Sequence, residues 1–321
     1  MQVDNVERLG DGQRSEVLAL VEAATHADKV APLSEQVLLA ARSHAADSPS
    51  SNPRWPHFLA YAGAHLAGYA HLQGGLAGEA ATAEVVVDPA HRRAGVGTAL
   101  IQALEADLAP DGQTLRLWSH GHLEGARALA HRDGYSSVRE LWQMRRSLRP
   151  EAGPLPTAEL PEGFSTRHFV VGRDEDAWLR VNAHAFVDHP EQGRMTRHDL
   201  DRRIAQPWFD TRGFILIEDT RGLAPILAAS HWTKVALAQD PQTRPSQGEV
   251  YVVGVDPAYQ GLGLGRAVTI LGLAYLGEQG LTEAMLYVDA DNRAAVATYS
   301  RLGFTRSAVD VMYSGAVHPS V

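Results

Sequence analysis

The chain repeats itself, and that repetition limits what it can fold into. Glu84-Val85-Val86-Val87-Asp88-Pro89-Ala90-His91-Arg92-Arg93-Ala94-Gly95-Val96-Gly97 lies without a gap over Val252-Val253-Gly254-Val255-Asp256-Pro257-Ala258-Tyr259-Gln260-Gly261-Leu262-Gly263-Leu264-Gly265. Further on, Gly125-Ala126-Arg127 through Asp133-Gly134-Tyr135 lies over Ala294 through Leu302-Gly303-Phe304. A duplication on this scale restricts the 321 residues to tandem copies of one fold. Between the copies, residues 148–163 hold four prolines, which remove backbone donors and read as a semi-extended linker. The expected division is 1–149, a linker over 150–163, and 164–321.

Periodicity gives the elements of each copy. Strands are predicted at 57–62, 66–73, 82–87, 114–119 and 137–147 in the first half, and at 213–218, 225–235, 249–255, 284–289 and 305–313 in the second. Helices are predicted at 13–29, 34–43, 96–108 and 124–132, then at 174–187, 264–278 and 293–301. Hairpins precede a β-α-β-α-β tail, so the fold class is α/β with a mixed sheet of the α+β kind, present twice.

Each copy has a glycine loop between an Asp-Pro turn and a helix. Missing Cβ atoms let an anion approach the backbone, and the helix start adds unpaired N–H groups and the positive end of the dipole. A diphosphate suits such a loop. A Walker A loop would end in Gly-Lys-Ser/Thr, which is absent, and the dinucleotide fingerprint needs G-x-G-x-x-G where this chain has G-x-G-x-G followed by Arg266. Both Arg92–Gly97 and Gln260–Gly265 match the acyl-CoA pattern Q/R-x-x-G-x-G/A. The bland alternative for either loop alone is a tight strand-to-helix turn; two copies in one context favour the coenzyme.

Composition removes other classes. There is no cysteine, which excludes disulfides, thiolate metal sites and a cysteine acyl-enzyme. A net charge of −9 disfavours nucleic acid. No signal peptide or membrane-length apolar run is apparent, so a cytoplasmic monomer without nucleic-acid or membrane partners is expected. His120-Gly121-His122 lacks a third ligand at useful spacing and reads as a loop, so no metal is expected.

Both halves resemble the GNAT acetyltransferase fold, and the second is similar to the mycothiol synthase family. That resemblance is carried by His231-Trp232-Thr233-Lys234, Glu249 through Pro257, Leu286 through Asn292, Thr298 through Phe304 and His189-Pro190-Glu191-Gln192-Gly193. It implies an enzyme that passes acetyl from acetyl-CoA directly to the cysteinyl amine of cysteinyl-glucosaminyl-inositol, with up to two acetyl-CoA molecules per chain. It makes Glu249 the general base and Tyr299 the general acid. In the second half it gives coenzyme contacts at Val253, Gly254, Val255, Gln260, Gly261, Leu262, Gly263, Leu264, Gly265 and Arg266, and along Asn292, Arg293, Ala294, Ala295, Val296 and Ala297. In the first half the matching positions are Val85, Val86, Val87, Arg92, Arg93, Gly95 and Gly97. Acceptor contacts are Lys234, Tyr287 and Glu191, with Glu35 from the first half.

N-acetylation needs a deprotonated amine and a protonated leaving thiol, and the Glu and Tyr types suit those tasks. Taken singly, Glu249 could be a solvated strand-edge acid and Tyr299 a packing residue. The gapless alignment places Ala81 at the position of Glu249 and Ala130 at that of Tyr299, so the first half is expected to hold acetyl-CoA without turning it over. Two other readings remain open: a GNAT enzyme for another small amine or a protein N-terminus, and a non-catalytic acetyl-CoA sensor.

Overall fold

The computed structural model describes residues 1–42, 55–74, 80–111, 114–187, 189–236 and 247–316. The chain forms two compact units, 1–141 with 308–321, and 142–307. The division therefore does not fall at the proline-rich stretch, which lies inside the second unit.

The elements in chain order are β1 (Gln2–Val6), α1 (Asp11–Asp28), α2 (Glu35–Arg42), β2 (His57–Ala62), β3 (His65–Gln73), β4 (Ala81–Val87), α3 (Val96–Leu108), β5 (Thr114–Ser119), α4 (Glu124–Arg132) and β6 (Ser136–Ser147). Then come β7 (Phe164–His168), α5 (Glu175–Ala185), α6 (Pro190–Gly193), α7 (Arg197–Ile204), β8 (Phe214–Asp219), β9 (Ile226–Ala236), β10 (Gln247–Val255), α8 (Leu264–Glu278), β11 (Glu283–Asp289), α9 (Arg293–Arg301) and β12 (Thr305–Ala316). Strands β6 and β12 each run from one unit into the other.

In the first unit the sheet order is β1-β2-β3-β4-β5, with the end of β12 antiparallel to β5 from Val311↔Ser119 to Ala316↔Thr114. Pairs β1–β2, β2–β3 and β3–β4 are antiparallel, and β4–β5 is parallel. One face carries α3 over Phe58, Ala83, Leu115 and Leu117. The other carries α1 and α2 over Leu59, Tyr69 and Val86. Alternating side chains thus feed two cores from one sheet.

The second unit repeats the plan. β7, β8, β9 and β10 pair antiparallel in turn, and β11 joins β10 in parallel. Helix α8 buries Leu273 and Leu276 against Val250, Ala284 and Leu286. On the opposite face α5 and α7 cover an aromatic cluster in which Phe214 and Trp232 stack at 4.6 Å, with Trp178 edge-on to both. No helix among the described residues is long and apolar enough to cross a membrane.

Candidate active site

Strand β10 is where the second unit departs from regular pairing. Glu249 stands opposite Lys234 and Val250 opposite Thr233, but the next partner of β9, Trp232, faces Val252. Tyr251 is the extra residue of a β-bulge, which turns the strand and puts Tyr251 and Val252 on the same face. The parallel ladder to β11 ends at the same level, its last pair being Val250↔Leu286. Beyond it Val253, Gly254 and Val255 still pair with β9, and their other edge has no ladder partner among the described residues. Unpaired N–H and C=O groups on a strand edge are a template for an extended amide-bearing ligand.

That edge runs into the glycine loop. Gly261 and Gly263 have φ of 82° and 79°, and Gly263 is the N-cap of α8. Left-handed backbone at both positions aims the first N–H groups of α8, at Leu264, Gly265 and Arg266, toward the loop. Asn292 caps α9 by accepting the Ala295 N–H at 3.1 Å, so part of its hydrogen-bonding capacity is spent on Arg293–Ala297.

Lys234 is held by aromatic side chains. Its ammonium lies 5.0 Å from the Trp208 ring centroid and 5.2 Å from that of Tyr251. The Tyr251 hydroxyl accepts from Arg203 Nε at 2.8 Å. These groups share the sheet face of Trp232, and by strand alternation so does Glu249, whose partners in register are Lys234 and Met285. Tyr287, two residues past Met285, is 42% exposed and accepts from Gln143 at 3.0 Å. Tyr299 lies on the other face, packed with the α8 cluster and edge-on to Phe304 at 5.8 Å. Burial alone raises its phenol to about 12, so it is protonated throughout the neutral range. Glu191 belongs to α6 by its backbone, and its side chain lies outside the described residues.

The first unit has the same edge and loop. Pairing of β4 with β5 runs from Ala81↔Leu115 to Glu84↔Trp118 and stops, while β4 remains paired to β3 as far as Val87. Val85, Val86, Val87, Arg92, Arg93, Gly95 and Gly97 all line one cavity of about 640 Å³. Two details set this loop apart. Arg93, at the place of Gly261, has φ of 65°, a conformation that costs a residue with a Cβ about 1–2 kcal/mol. Arg92 is engaged by Asp28 through two bonds of 2.7 Å. Glu35 opens α2, and the preceding Ser34 N–H donates to buried Glu84 at 2.5 Å.

Register corrects one expectation. β4 has no bulge, so Thr82, opposite Gln73, is the counterpart of Glu249, opposite Lys234; Ala81 is displaced by the extra residue in β10. Ala130 does correspond to Tyr299, since each carbonyl accepts the N–H five residues on, from Tyr135 and Phe304. Neither Thr82 nor Ala130 can serve as a carboxylate base or a phenolic acid. His120, read as a loop residue, lies at the cavity wall between two buried acids, with Nε2 3.3 Å from Glu84 and Nδ1 3.1 Å from Asp310. Burial opposes its charge, yet bonds to Asp310 and Glu84 outweigh that and raise it to about 10.

Sequence reasoning missed the bulge and the Trp208–Tyr251–Arg203 setting of Lys234. A bulge leaves only a pair of adjacent same-face residues as its signal, and Tyr251-Val252 is legible as such only once a partner strand is known.

Comparison with known proteins agrees with this geometry. The model of the Acetyltransferase (GNAT) family matches residues 27–135 and 178–304, once in each half. A mycothiol acetyltransferase of Thermomonospora curvata is 51% identical over 95% of this chain and 94% of its own, and one of Thermobispora bispora is 49% identical over 94% and 96%. Among solved structures, a tandem GNAT protein from the clavulanic acid biosynthesis pathway covers all of both chains with a TM-score of 0.73 at 18% identity, which speaks for the fold alone. Two glycine-capped cradles on duplicated sheets, and half-identity along nearly the whole length, lead to one conclusion: the chain belongs to the GNAT acetyltransferases, in the mycothiol acetyltransferase family.

Proposed function

We propose that this acetyltransferase moves acetyl from acetyl-CoA to the cysteinyl amine of cysteinyl-glucosaminyl-inositol, and that the second unit does the chemistry. The observation that carries the reading is the make-up of β10, which bears Glu249 before the bulge and a free backbone edge after it. Bound acetyl-CoA supplies an activated acyl group whose leaving thiol has an ordinary pKa near ~8.5. Backbone groups of Val253–Val255 hold the pantetheine arm and polarise the acetyl carbonyl. The loop from Gln260 through Arg266 takes the diphosphate, and residues from Asn292 to Ala297 line the arm's other side.

Glu249 accepts the proton of the attacking amine, directly or through a water; an α-amino group loses it near pH ~7.7–8.0, so a carboxylate at neutral pH suffices. Tyr299 offers its hydroxyl hydrogen to the departing sulfur. Lys234 and Tyr287 orient the polar acceptor, with Glu191 as a further contact; Glu35 is assigned to acceptor binding on the resemblance. The first unit holds a second acetyl-CoA without turnover, for want of both proton carriers. Direct attack fits a chain without cysteine. We further place the enzyme in the cytoplasm as a monomer, with no nucleic acid or membrane partner.

The test is the purified chain with acetyl-CoA and a panel of amines: the cysteinyl glycoside, the same glycoside with serine for cysteine, an aminoglycoside and a peptide N-terminus. The cysteinyl glycoside should give the highest kcat/KM. Preference for an amine without a thiol would defeat the substrate assignment, and failure with all of them would favour a sensor.

A further inference from the structure

The Asp-Pro turn before each glycine loop is furnished differently in the two units. In the second, Asp256 Oδ2 meets His184 Nδ1 at 3.0 Å, and the residue three positions on is Tyr259. In the first, Asp88 Oδ2 meets His65 Nε2 at 2.6 Å and lies 3.4 Å from His91 Nδ1. One ligand atom from each of these three residues lies within 4.8 Å of the other two. His91 Nδ1 is shielded from solvent and makes no hydrogen bond among the described residues, so it meets the carboxylate oxygen at ion-pair distance without a hydrogen bond to hold it.

We propose that His65, Asp88 and His91 bind a divalent transition-metal ion of the Zn²⁺ type. The geometry fits such an ion. With ligand bonds of about 2.1 Å, the edge of a tetrahedral site is roughly 3.4 Å, the separation of His91 Nδ1 from Asp88 Oδ2. The His65 and His91 rings stack at 4.7 Å with 20° between their planes, and because an imidazole nitrogen coordinates in its ring plane, the His65 ring has to turn out of the stack for both to meet one ion. That turn of His65 also opens its 2.6 Å contact with Asp88 by about 0.8 Å, to the same edge length. His65 sits beside the β2–β3 turn with 58% of its side chain exposed, which leaves it free to do so.

Asp88 is fixed independently. Its Oδ1 accepts the Ala90 N–H at 2.8 Å, and its own N–H donates to Ala67 at 2.9 Å. Two imidazoles and one carboxylate suit zinc, nickel or copper better than magnesium or calcium, and three protein ligands leave a fourth position for water. The ion would tie the β2–β3 turn to the start of the Arg92–Gly97 loop.

The experiment uses the full chain, stripped with a chelator and titrated calorimetrically with ZnCl₂, then with CoCl₂ under visible absorption. One Zn²⁺ equivalent at micromolar affinity is expected, with the strong d–d bands of four-coordinate Co²⁺. Because the chain has 15 histidines, the site is read as a difference: H65A should weaken that equivalent about a hundredfold, H65A/H91A should abolish it, and exposed His198→Ala should leave it intact. Circular dichroism of the variants checks folding, and H65A, altered only at the exposed turn, serves if the double variant unfolds. Equal stoichiometry and affinity in wild type and H65A, or no Zn²⁺ uptake by wild type, would overturn the site.

Discussion

Replacing Tyr299 by phenylalanine separates two ways in which a phenol can help a thiolate leave. Burial raises Tyr299 to about 12 with no charged or hydrogen-bonding group adding to the shift. A thiol ionises near ~8.5, a gap of about 3.5 units, or roughly 5 kcal/mol at 1.36 kcal/mol per unit. Complete transfer of the proton to a free thiolate is therefore uphill, and the useful contribution is a hydrogen bond to developing negative charge, about 1.5–3 kcal/mol. That converts to a loss of roughly 10–150-fold in kcat. Phenylalanine keeps the edge contact with Phe304, at 5.8 Å in the native protein, so folding should be preserved. Initial rates are to be measured by chromatography of the acetylated product at saturating acetyl-CoA, with the KM for acetyl-CoA expected within about threefold of wild type. A loss beyond about a thousandfold would mean that full proton transfer is rate-determining and that binding acidifies the phenol. A loss below about threefold would mean that the hydroxyl is not at the sulfur.

Glu249→Ala should lower kcat by about 10²–10⁴ while calorimetry finds acetyl-CoA binding to the second unit intact; near-normal turnover removes Glu249 from the mechanism. Lys234→Met should raise the acceptor KM by roughly 10–150-fold, the worth of a charged hydrogen bond, and Trp208→Leu by only about 2–5-fold, the worth of a half-exposed cation–π contact; a fall in kcat with unchanged KM would place Lys234 in the chemical step. Burial lowers His57 and His231 to about 4 and His71 to about 3, so between pH 6.5 and 4 the unfolded chain takes up protons that the folded chain refuses. Each should cost about 2 kcal/mol of stability by pH 5, read as urea midpoints falling from pH 7 to 5 with a shallower fall in His71→Gln. His120 works in the opposite sense: its stabilisation is complete below pH 6.5 and is lost as pH rises toward 10.

Helices whose ends are written in local chemistry were legible to the residue. Glycines 95 and 263 in left-handed conformation start α3 and α8, and the side chain of Asn292 starts α9. Strands β1 and β7 were not seen, because each is a short, half-exposed sheet edge with neither the apolar run nor the alternation of an interior strand. Helix α7 escaped for a related reason: Arg197–Ile204 is dominated by charge, and its start rests on a capping box between Thr196 and Asp199. Of the site, the cradle could be read because it is local in sequence. The neighbours of Lys234 could not, since Trp208 reaches it from 26 residues away and Arg203 bonds Tyr251 across a separation of 48 residues. Counterparts between the halves were misassigned by one residue before the bulge, an error that no gapless alignment can reveal.

The proposal that one copy of the duplicated fold keeps a ligand site and lacks the chemistry has a physical basis in what each part is made of. The cradle is a free strand edge and a helix start, both backbone, so side-chain changes pass through it: the first unit retains the edge at Val85–Val87 and a cavity of about 640 Å³. The face proposed for the acceptor is made of side chains. Across it the second unit has Phe214, Trp232, Lys234 and Glu249, and the positions in matching register in the first are His57, His71, Gln73 and Thr82. Restoring the two proton carriers is therefore not enough. In a Glu249→Gln background, Thr82→Glu with Ala130→Tyr should recover no turnover above that background in the product assay. Strand β4 lacks the bulge that turns β10 at the carboxylate, and Thr82 has Gln73 where Glu249 has Lys234; the cation beside it, Arg116 of β5, stands on the opposite side, at the place of Met285. Recovery to within tenfold of wild type would show that the bulge and Lys234 are dispensable, and that two side chains alone separate a binding copy from a working one.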